Sequence, residues 1–129
     1  MWNSSLPLLA SLIGLAMAAG PGRASAFSVR FSWTGIPACE RISPELHLSD
    51  VPPGTKKLHC ELKDLDVPGF RHGGSTVTYT SETVARGAIH YVGPCPPHGE
   101  RHRYRWTVQA LDGTGKVLGT ATATEAFPP

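Results

Sequence analysis

Residues 93–110 carry the strongest structural signal in the chain, reading Gly-Pro-Cys-Pro-Pro-His-Gly-Glu-Arg and then His-Arg-Tyr-Arg-Trp-Thr-Val-Gln-Ala. In the second part, alternate residues share one side and are mostly apolar or aromatic: His102, Tyr104, Trp106, Val108 and Ala110. This two-residue period is typical of a half-buried β-strand. In the first part, three prolines and two glycines within seven residues restrict the backbone and remove hydrogen-bond donors. We therefore predict a rigid loop that leads directly into a strand.

Short alternating or β-branched segments recur along the rest of the chain. They predict strands at residues 27–33, 45–48, 56–64, 75–80, 88–92, 102–110 and 116–125, and a turn at residues 82–87. Cys60 lies on the apolar side of the strand at 56–64 and should face the core. Residues 112–115, Asp-Gly-Thr-Gly, have the composition of a hairpin turn. Because 14 glycines and 12 prolines argue against long helices, we expect a mainly β, antiparallel, sandwich-like fold with little helix.

Size and charge exclude several classes of protein. A chain of 129 residues suits one domain and is too short for a catalytic barrel or a doubly wound nucleotide-binding fold of usual size. The net charge of +2 is too mild to indicate a counterion-releasing surface, so no nucleic acid partner is expected.

Residues 1–26 have the composition of a secretory signal peptide. They are strongly apolar, carry Arg23 as their one charged side chain, and end in Ala-Ser-Ala, a small-x-small cleavage site. We predict a mature domain of residues 27–129, secreted or periplasmic, with no stable membrane insertion after cleavage. A retained membrane helix is the alternative, although Pro7 and Gly14 interrupt the apolar run. Export permits disulfides, and three cysteines allow at most one bridge within the chain, whose partners are open at this point.

Two clusters could carry chemistry. Asp64 and Asp66 precede a Pro-Gly turn, where aspartates are ordinary turn residues, but either could also orient a histidine or accept from a ligand hydroxyl. His102 and Tyr104 project from one strand face, either as core residues or as two donors for an anion. Among six histidines only His98 and His102 lie at a close ligand spacing, so no metal or other cofactor is expected.

These segments resemble, in order, the sequence blocks of the phosphatidylethanolamine-binding protein family, also called Raf kinase inhibitor proteins, particularly its bacterial members. The matching blocks are Ser-Pro-Glu-Leu at 43–46, Val-Pro-Pro-Gly-Thr-Lys at 51–56, Asp-Leu-Asp-Val-Pro at 64–68, His72, Gly-Pro-Cys-Pro-Pro-His-Gly at 93–99, His-Arg-Tyr at 102–104 and Ala-Leu-Asp at 110–112. The loop at 93–97 followed by His-Arg-Tyr is the most specific of them. The likeness covers about residues 39–112.

The resemblance implies the family's fold, here without its C-terminal helix, and a small pocket for phosphate-like groups, including a phosphoethanolamine headgroup. Residue by residue it assigns to this pocket Asp64, Asp66, His72, Cys95, Pro96, Pro97, His102 and Tyr104. It also implies a disulfide between Cys39 and Cys95, because the family brings their loops together at the pocket rim. Leu65 and Gly73 replace a proline and a tryptophan of the family pattern, and the segment between His72 and Gly93 is short, so we expect a shallower or more open pocket.

The function expected from these observations is that of an exported, non-enzymatic protein that binds a phospholipid headgroup or another phosphate-type anion. The alternative is a protein-interaction or inhibitor-like module with a vestigial pocket and a protein partner. A hydrolase using Asp64, Asp66 and His72 is a third hypothesis, but no nucleophile or metalloprotease motif accompanies them, so no catalytic residue is assigned. An immunoglobulin-like sandwich or a periplasmic lipid carrier would also suit the pattern, and the sandwich predicts that these side chains do not converge.

Overall fold

The computed structural model describes residue 14 and residues 26–129, and this part of the chain is built from strands and loops with no helix. The strands are β1 (Ser28–Phe31), β2 (Leu46–Ser49), β3 (Lys57–Asp64), β4 (Gly74–Thr78), β5 (Thr83–Val84), β6 (His102–Leu111) and β7 (Val117–Phe127). They form two antiparallel sheets, a smaller one in the order β1-β2-β5 and a larger one in the order β4-β3-β6-β7. The predicted antiparallel β fold is confirmed.

Six of the predicted strands are present within a few residues of their expected bounds, but the prediction for residues 82–92 is wrong. The remaining strand, β5, was not predicted. It lies inside the segment predicted as a turn, where Val84 pairs with Leu46. Residues 88–92 form no strand. Their alternation reflects burial of Ile89 and Tyr91, while their amides donate to acceptors outside any strand ladder, such as the Ser43 hydroxyl for Ile89 and the His72 carbonyl for Val92.

The core lies between the two sheets and is dominated by aromatic side chains. Trp33 lies at its centre, with its ring 6.0 Å from Tyr104, 5.8 Å from Phe127 and 6.5 Å from Trp106 between centroids. Its indole Nε1 donates to the carbonyl of Glu125 on β7, which ties the end of β1 to the larger sheet. Cys60 is completely buried in this core as a free thiol, as the strand pattern predicts.

The pairing of β3 with β6 positions the candidate site. The two strands are antiparallel and Asp64 lies opposite Tyr104, so the end of β3 meets the beginning of β6. His102 is the first residue of β6 and faces the core side of the sheet, as Tyr104 does. The loop of residues 93–101 comes immediately before it and therefore closes over the same corner of the sandwich.

The predicted signal peptide, residues 1–26, falls outside the described residues apart from residues 14 and 26. In the described part of the chain, no helix has the length and hydropathy needed to cross a lipid bilayer.

Candidate functional site

A cavity of about 780 Å³ opens where β3 ends and β6 begins. Its lining contains all eight residues assigned from the sequence, namely Asp64, Asp66, His72, Cys95, Pro96, Pro97, His102 and Tyr104. Val67, Phe70, Glu100 and Arg101 complete it. The side chains that an immunoglobulin-like sandwich would scatter are therefore brought together in one place.

The floor of the cavity is organised by Asp64, a carboxylate with a relative exposure of 3%. One oxygen accepts from the backbone amides of Asp66 at 2.8 Å and Val67 at 3.0 Å, and the other accepts from Nδ1 of His102 at 2.7 Å. Burial by itself would raise the pKa of Asp64, but these hydrogen bonds to the charged form outweigh it, and the pKa lies below its ordinary value. Asp64 is thus an ionised residue that positions the imidazole.

His102 is held so that one ring nitrogen remains available. Because Nδ1 donates to Asp64, Nε2 is the atom left for another partner, and it lies 3.7 Å from a carboxylate oxygen of Glu100. The hydrogen bond from Nδ1 to Asp64 raises the pKa of His102 above its ordinary value, and the nearby charges of Asp64 and Glu100 act in the same direction. A protonated His102 carries a positive charge and donates through Nε2.

Tyr104 and His72 form the next layer of the site. Their rings meet edge to face at 5.4 Å, and the Tyr104 ring also stacks near that of His102 at 6.3 Å. Burial, followed by the charge of Asp64, raises the pKa of Tyr104 well above the usual range, so its hydroxyl keeps its proton. His72 donates from Nδ1 to the carbonyl of Val92 at 2.6 Å, since a carbonyl can only accept, and this leaves its Nε2 free.

Asp66 has a different role from that of Asp64. Its Oδ2 accepts from the backbone amide of Arg103 at 2.7 Å, and its Oδ1 accepts from the Arg103 guanidinium at 3.3 Å. These two hydrogen bonds from Arg103 lower the pKa of Asp66. Asp66 lines the cavity, but its carboxylate is occupied in fixing the start of β6.

The loop of residues 93–97 forms one wall and is anchored by a disulfide. Cys95 is bonded to Cys39, and the amide of Cys39 donates to the carbonyl of Pro94 at 2.9 Å. Gly93 packs so closely on the carbonyl of Glu40 that a Cβ would overlap it. The predicted bridge is confirmed, and it joins the loop after β1 to the loop before β6.

Sequence reasoning missed four lining residues. Val67 and Phe70 follow the Asp64 cluster and are 45% and 50% exposed at the mouth, with the Phe70 ring 4.6 Å from that of His72. Arg101 precedes β6, so strand alternation does not indicate where its side chain lies, and it lines the cavity. Its Nε donates to the carbonyl of Pro128. An apolar side chain beside a Pro-Gly turn was the available signal for Phe70.

The described residues contain no group of three or more His, Cys, Asp or Glu side chains placed to hold a metal ion. The chemistry that the cavity offers comes from its donors: the imidazole of His102, the Tyr104 hydroxyl and the Arg101 guanidinium. Such a set suits the oxygens of an anion.

Comparison with known proteins supports the fold and the resemblance to the family. Residues 69–127 match the family model described as phosphatidylethanolamine-binding protein. The UPF0098 protein YbhB of Escherichia coli K12 is 34% identical over 97 residues, which cover 57% of this chain and 61% of that protein. The chain thus spans about three fifths of the length of that relative.

Two solved structures share the fold. A putative phosphatidylethanolamine-binding protein homologue from Chlamydia trachomatis, CT736, superposes with a TM-score of 0.60 at 23% identity, covering 81% of this chain and 98% of that one. Escherichia coli YbcL, described as a member of the mammalian family, gives a TM-score of 0.57 at 21% identity, covering 80% and 98%. The match over residues 69–127, the bacterial relative and the common fold together confirm the predicted resemblance to the phosphatidylethanolamine-binding protein family.

Proposed function

We propose that the protein is a non-enzymatic binding protein that holds a phosphate-type anion, free or as a headgroup such as phosphoethanolamine, in the cavity at the end of β3. The resemblance to the family supports a ligand-binding or regulatory role. The observation that carries the proposal is the Asp64–His102 pair, in which a hydrogen bond to the buried carboxylate raises the pKa of an imidazole that lines the cavity.

Two further donors favour the same ligand, and they act against the carboxylate of Glu100, which also lines the cavity. The Tyr104 hydroxyl keeps its proton, and Arg101 brings a permanent positive charge to the mouth. The two aspartates do not repel an anion at full strength, because Asp64 is paired with His102 and Asp66 with Arg103. A buried anion is costly without such donors, and here they converge on one volume.

The proposal that no reaction is catalysed rests on the composition of the lining. The twelve lining residues include no serine, threonine or lysine, and the cysteine among them is bonded to Cys39. Asp64 is engaged in three hydrogen bonds and is not free to act as a base.

We also propose a secreted or periplasmic location. The disulfide between Cys39 and Cys95 supports it, because both cysteines are exposed and such bonds persist in oxidising compartments. Recovery of the protein from the periplasm or medium, with its amino terminus at Phe27, would be the direct test.

The binding proposal is tested by titrating the full chain with inorganic phosphate and with phosphoethanolamine at constant ionic strength. We expect changes in the NMR signals of the His102 and His72 rings at millimolar ligand. His102→Ala should weaken binding by about tenfold or more, since a hydrogen bond to a charged group is lost. The matched control is His90→Ala, an exposed histidine outside the cavity. Unchanged signals with both ligands, or equal losses in the two variants, would overturn the proposal.

A protein-interaction role is the second candidate, favoured by the exposed apolar rim of Val67 and Phe70. One pair of variants distinguishes the two functions. An interaction module should lose partner binding in Phe70→Ala and keep it in His102→Ala, whereas anion binding depends chiefly on His102.

A further inference from the structure

A second cleft, of about 420 Å³, opens on the face of the larger sheet that is turned away from the core. Its lining comes from β3, β6 and the segment between β3 and β4: Glu61, Leu62, Lys63, Pro68, Phe70, Arg71, His72, Gly73, Arg105 and Thr107. Phe70 and His72 line both cavities, so residues 70–72 separate the two openings. The volume lies within the usual range for sites of small ligands.

The cleft contains an excess of positive charge. Lys63 on β3 lies directly opposite Arg105 on β6, and like charges in facing positions of a sheet repel each other. Arg71 adds a third cation to the lining. Among the described residues, none of the three forms a salt bridge with a carboxylate. Glu61, the one acid of the lining, lies 3.8 Å from the imidazole of His59.

Arg105 also has a hydrogen-bond donor without an acceptor. Its Nε is buried and has no partner within the described part of the chain. A buried guanidinium donor left unpaired costs free energy, as does the repulsion from Lys63. An oxyanion placed between the two cationic side chains would offset the repulsion between them.

We propose that Lys63, Arg71 and Arg105 form a second anion site for a small, multiply charged oxyanion, a phosphate monoester or a dicarboxylate. A guanidinium matches the oxygens of either group in geometry, and three cations against one acid favour a doubly charged ligand. The site is separate from the cavity of His102, and it does not depend on the function proposed for that cavity.

The test is an NMR titration of the full chain with inorganic phosphate and, in a second arm, with succinate, at constant ionic strength. We expect shifts of the backbone amides of Gly73, Arg105 and Thr107, which line the cleft. Tighter binding of phosphate would identify a phosphate site, and tighter binding of succinate a carboxylate site. The shifts should persist in His102→Ala, which separates this site from the other.

Matched variants decide whether the site is specific. Arg105→Gln should weaken anion binding at the cleft by about tenfold or more, because a charged donor is removed. Arg30→Gln, which removes the same charge from the exposed side of β1, should leave it unchanged. No shift at the cleft with either ligand, or equal weakening by the two variants, would overturn the proposal.

A second measurement uses the repulsion between Lys63 and Arg105. In chloride buffer without phosphate or succinate, Lys63→Gln should raise the thermal midpoint, whereas Lys57→Gln on the same face of β3 should not, since Lys57 faces Leu111 and Thr78. Adding the tighter-binding anion should raise the midpoint of the wild type more than that of Lys63→Gln. The proposal would be contradicted if Lys63→Gln had no higher a thermal midpoint than Lys57→Gln and if the anion raised its midpoint as much as that of the wild type.

Discussion

At the scale of single residues, the pair of Asp64 and His102 sets the charge of the cavity. A histidine alone in an apolar corner would lose its proton, because burial disfavours the charged form. The carboxylate 2.7 Å away reverses that tendency, and two backbone amides keep the carboxylate itself ionised. The pair therefore favours a charged imidazole beside a charged carboxylate, and the imidazole lines the cavity.

The pair makes the stability of the protein depend on pH. The pKa of His102 is raised above its ordinary value of 6.5, so its contribution is complete below about pH 6.5 and is lost as the pH rises through the folded-state pKa. The pKa of Asp64 is lowered from 3.8, so its contribution is complete above about pH 4 and is lost as the pH falls through its folded-state value. The free energy of unfolding that Asp64→Asn removes should be largest between these limits.

Urea unfolding followed by tryptophan fluorescence measures this difference across the pH range. Asp50→Asn is the control, an exposed carboxylate that accepts no hydrogen bond from the described residues, at a positive φ that asparagine tolerates. The interpretation fails if the difference between wild type and Asp64→Asn is the same at every pH.

At the scale of elements, the junction of β3 with β4 depends on the small size of Gly74. A Cβ on this residue would overlap the backbone carbonyl of Cys60 on the facing strand, and backbone in a paired ladder cannot move aside easily. Since β4 follows directly on residues 70–73, a shift here would also reach the wall between the two cavities.

Gly74→Ala should lower the free energy of unfolding by about 1–3 kcal/mol, the usual cost of overpacking. Gly69→Ala adds the same methyl group where nothing lies within 4 Å, and it should change stability by less than about 0.5 kcal/mol. Chemical denaturation of the two variants compares them directly. If the two variants were equally stable, the backbones of β3 and β4 would be able to move apart to accommodate the added methyl group, contrary to this prediction.

At the scale of the whole molecule, the disulfide joins the two halves of the sandwich. Cys39 follows β1 of the smaller sheet and Cys95 precedes β6 of the larger one, at a sequence separation of 56. Closing a loop of this length restricts the unfolded chain, and in the chain-entropy estimate this stabilises the fold by about 4 kcal/mol. The same bond anchors Pro96 and Pro97 at the cavity.

Replacing both cysteines, as Cys39→Ala with Cys95→Ala, should lower the free energy of unfolding by about 2–4 kcal/mol and weaken anion binding through the looser wall. Reduction of the wild type should give a similar loss of stability. The double variant is its own control, because reductant should no longer affect it. A wild type whose denaturation midpoint is insensitive to complete reduction would show that the bond contributes little.

Much of the fold and of the site was predictable because the relevant signals are local. In the strand that begins at His102, buried and more exposed side chains alternate because one side of the strand faces the core. This pattern can be read from that stretch of sequence alone. The residues of the cavity and the Cys39–Cys95 bridge were predictable in a different way, through resemblance to a family whose pocket motifs recur here in order. In contrast, residues 88–92 alternate like a strand and form none, because the pattern records burial and not the partner of each amide.

The charges that govern both cavities depended on distant segments meeting. Asp64 and His102 are 38 residues apart, and their hydrogen bond exists because the end of β3 lies beside the start of β6. The opposition of Lys63 and Arg105 arises from the same pairing and would vanish with a shift of one residue in register. Side-chain periodicity is a property of one strand, whereas pKa values and cavities come from the register between strands, which no single segment contains.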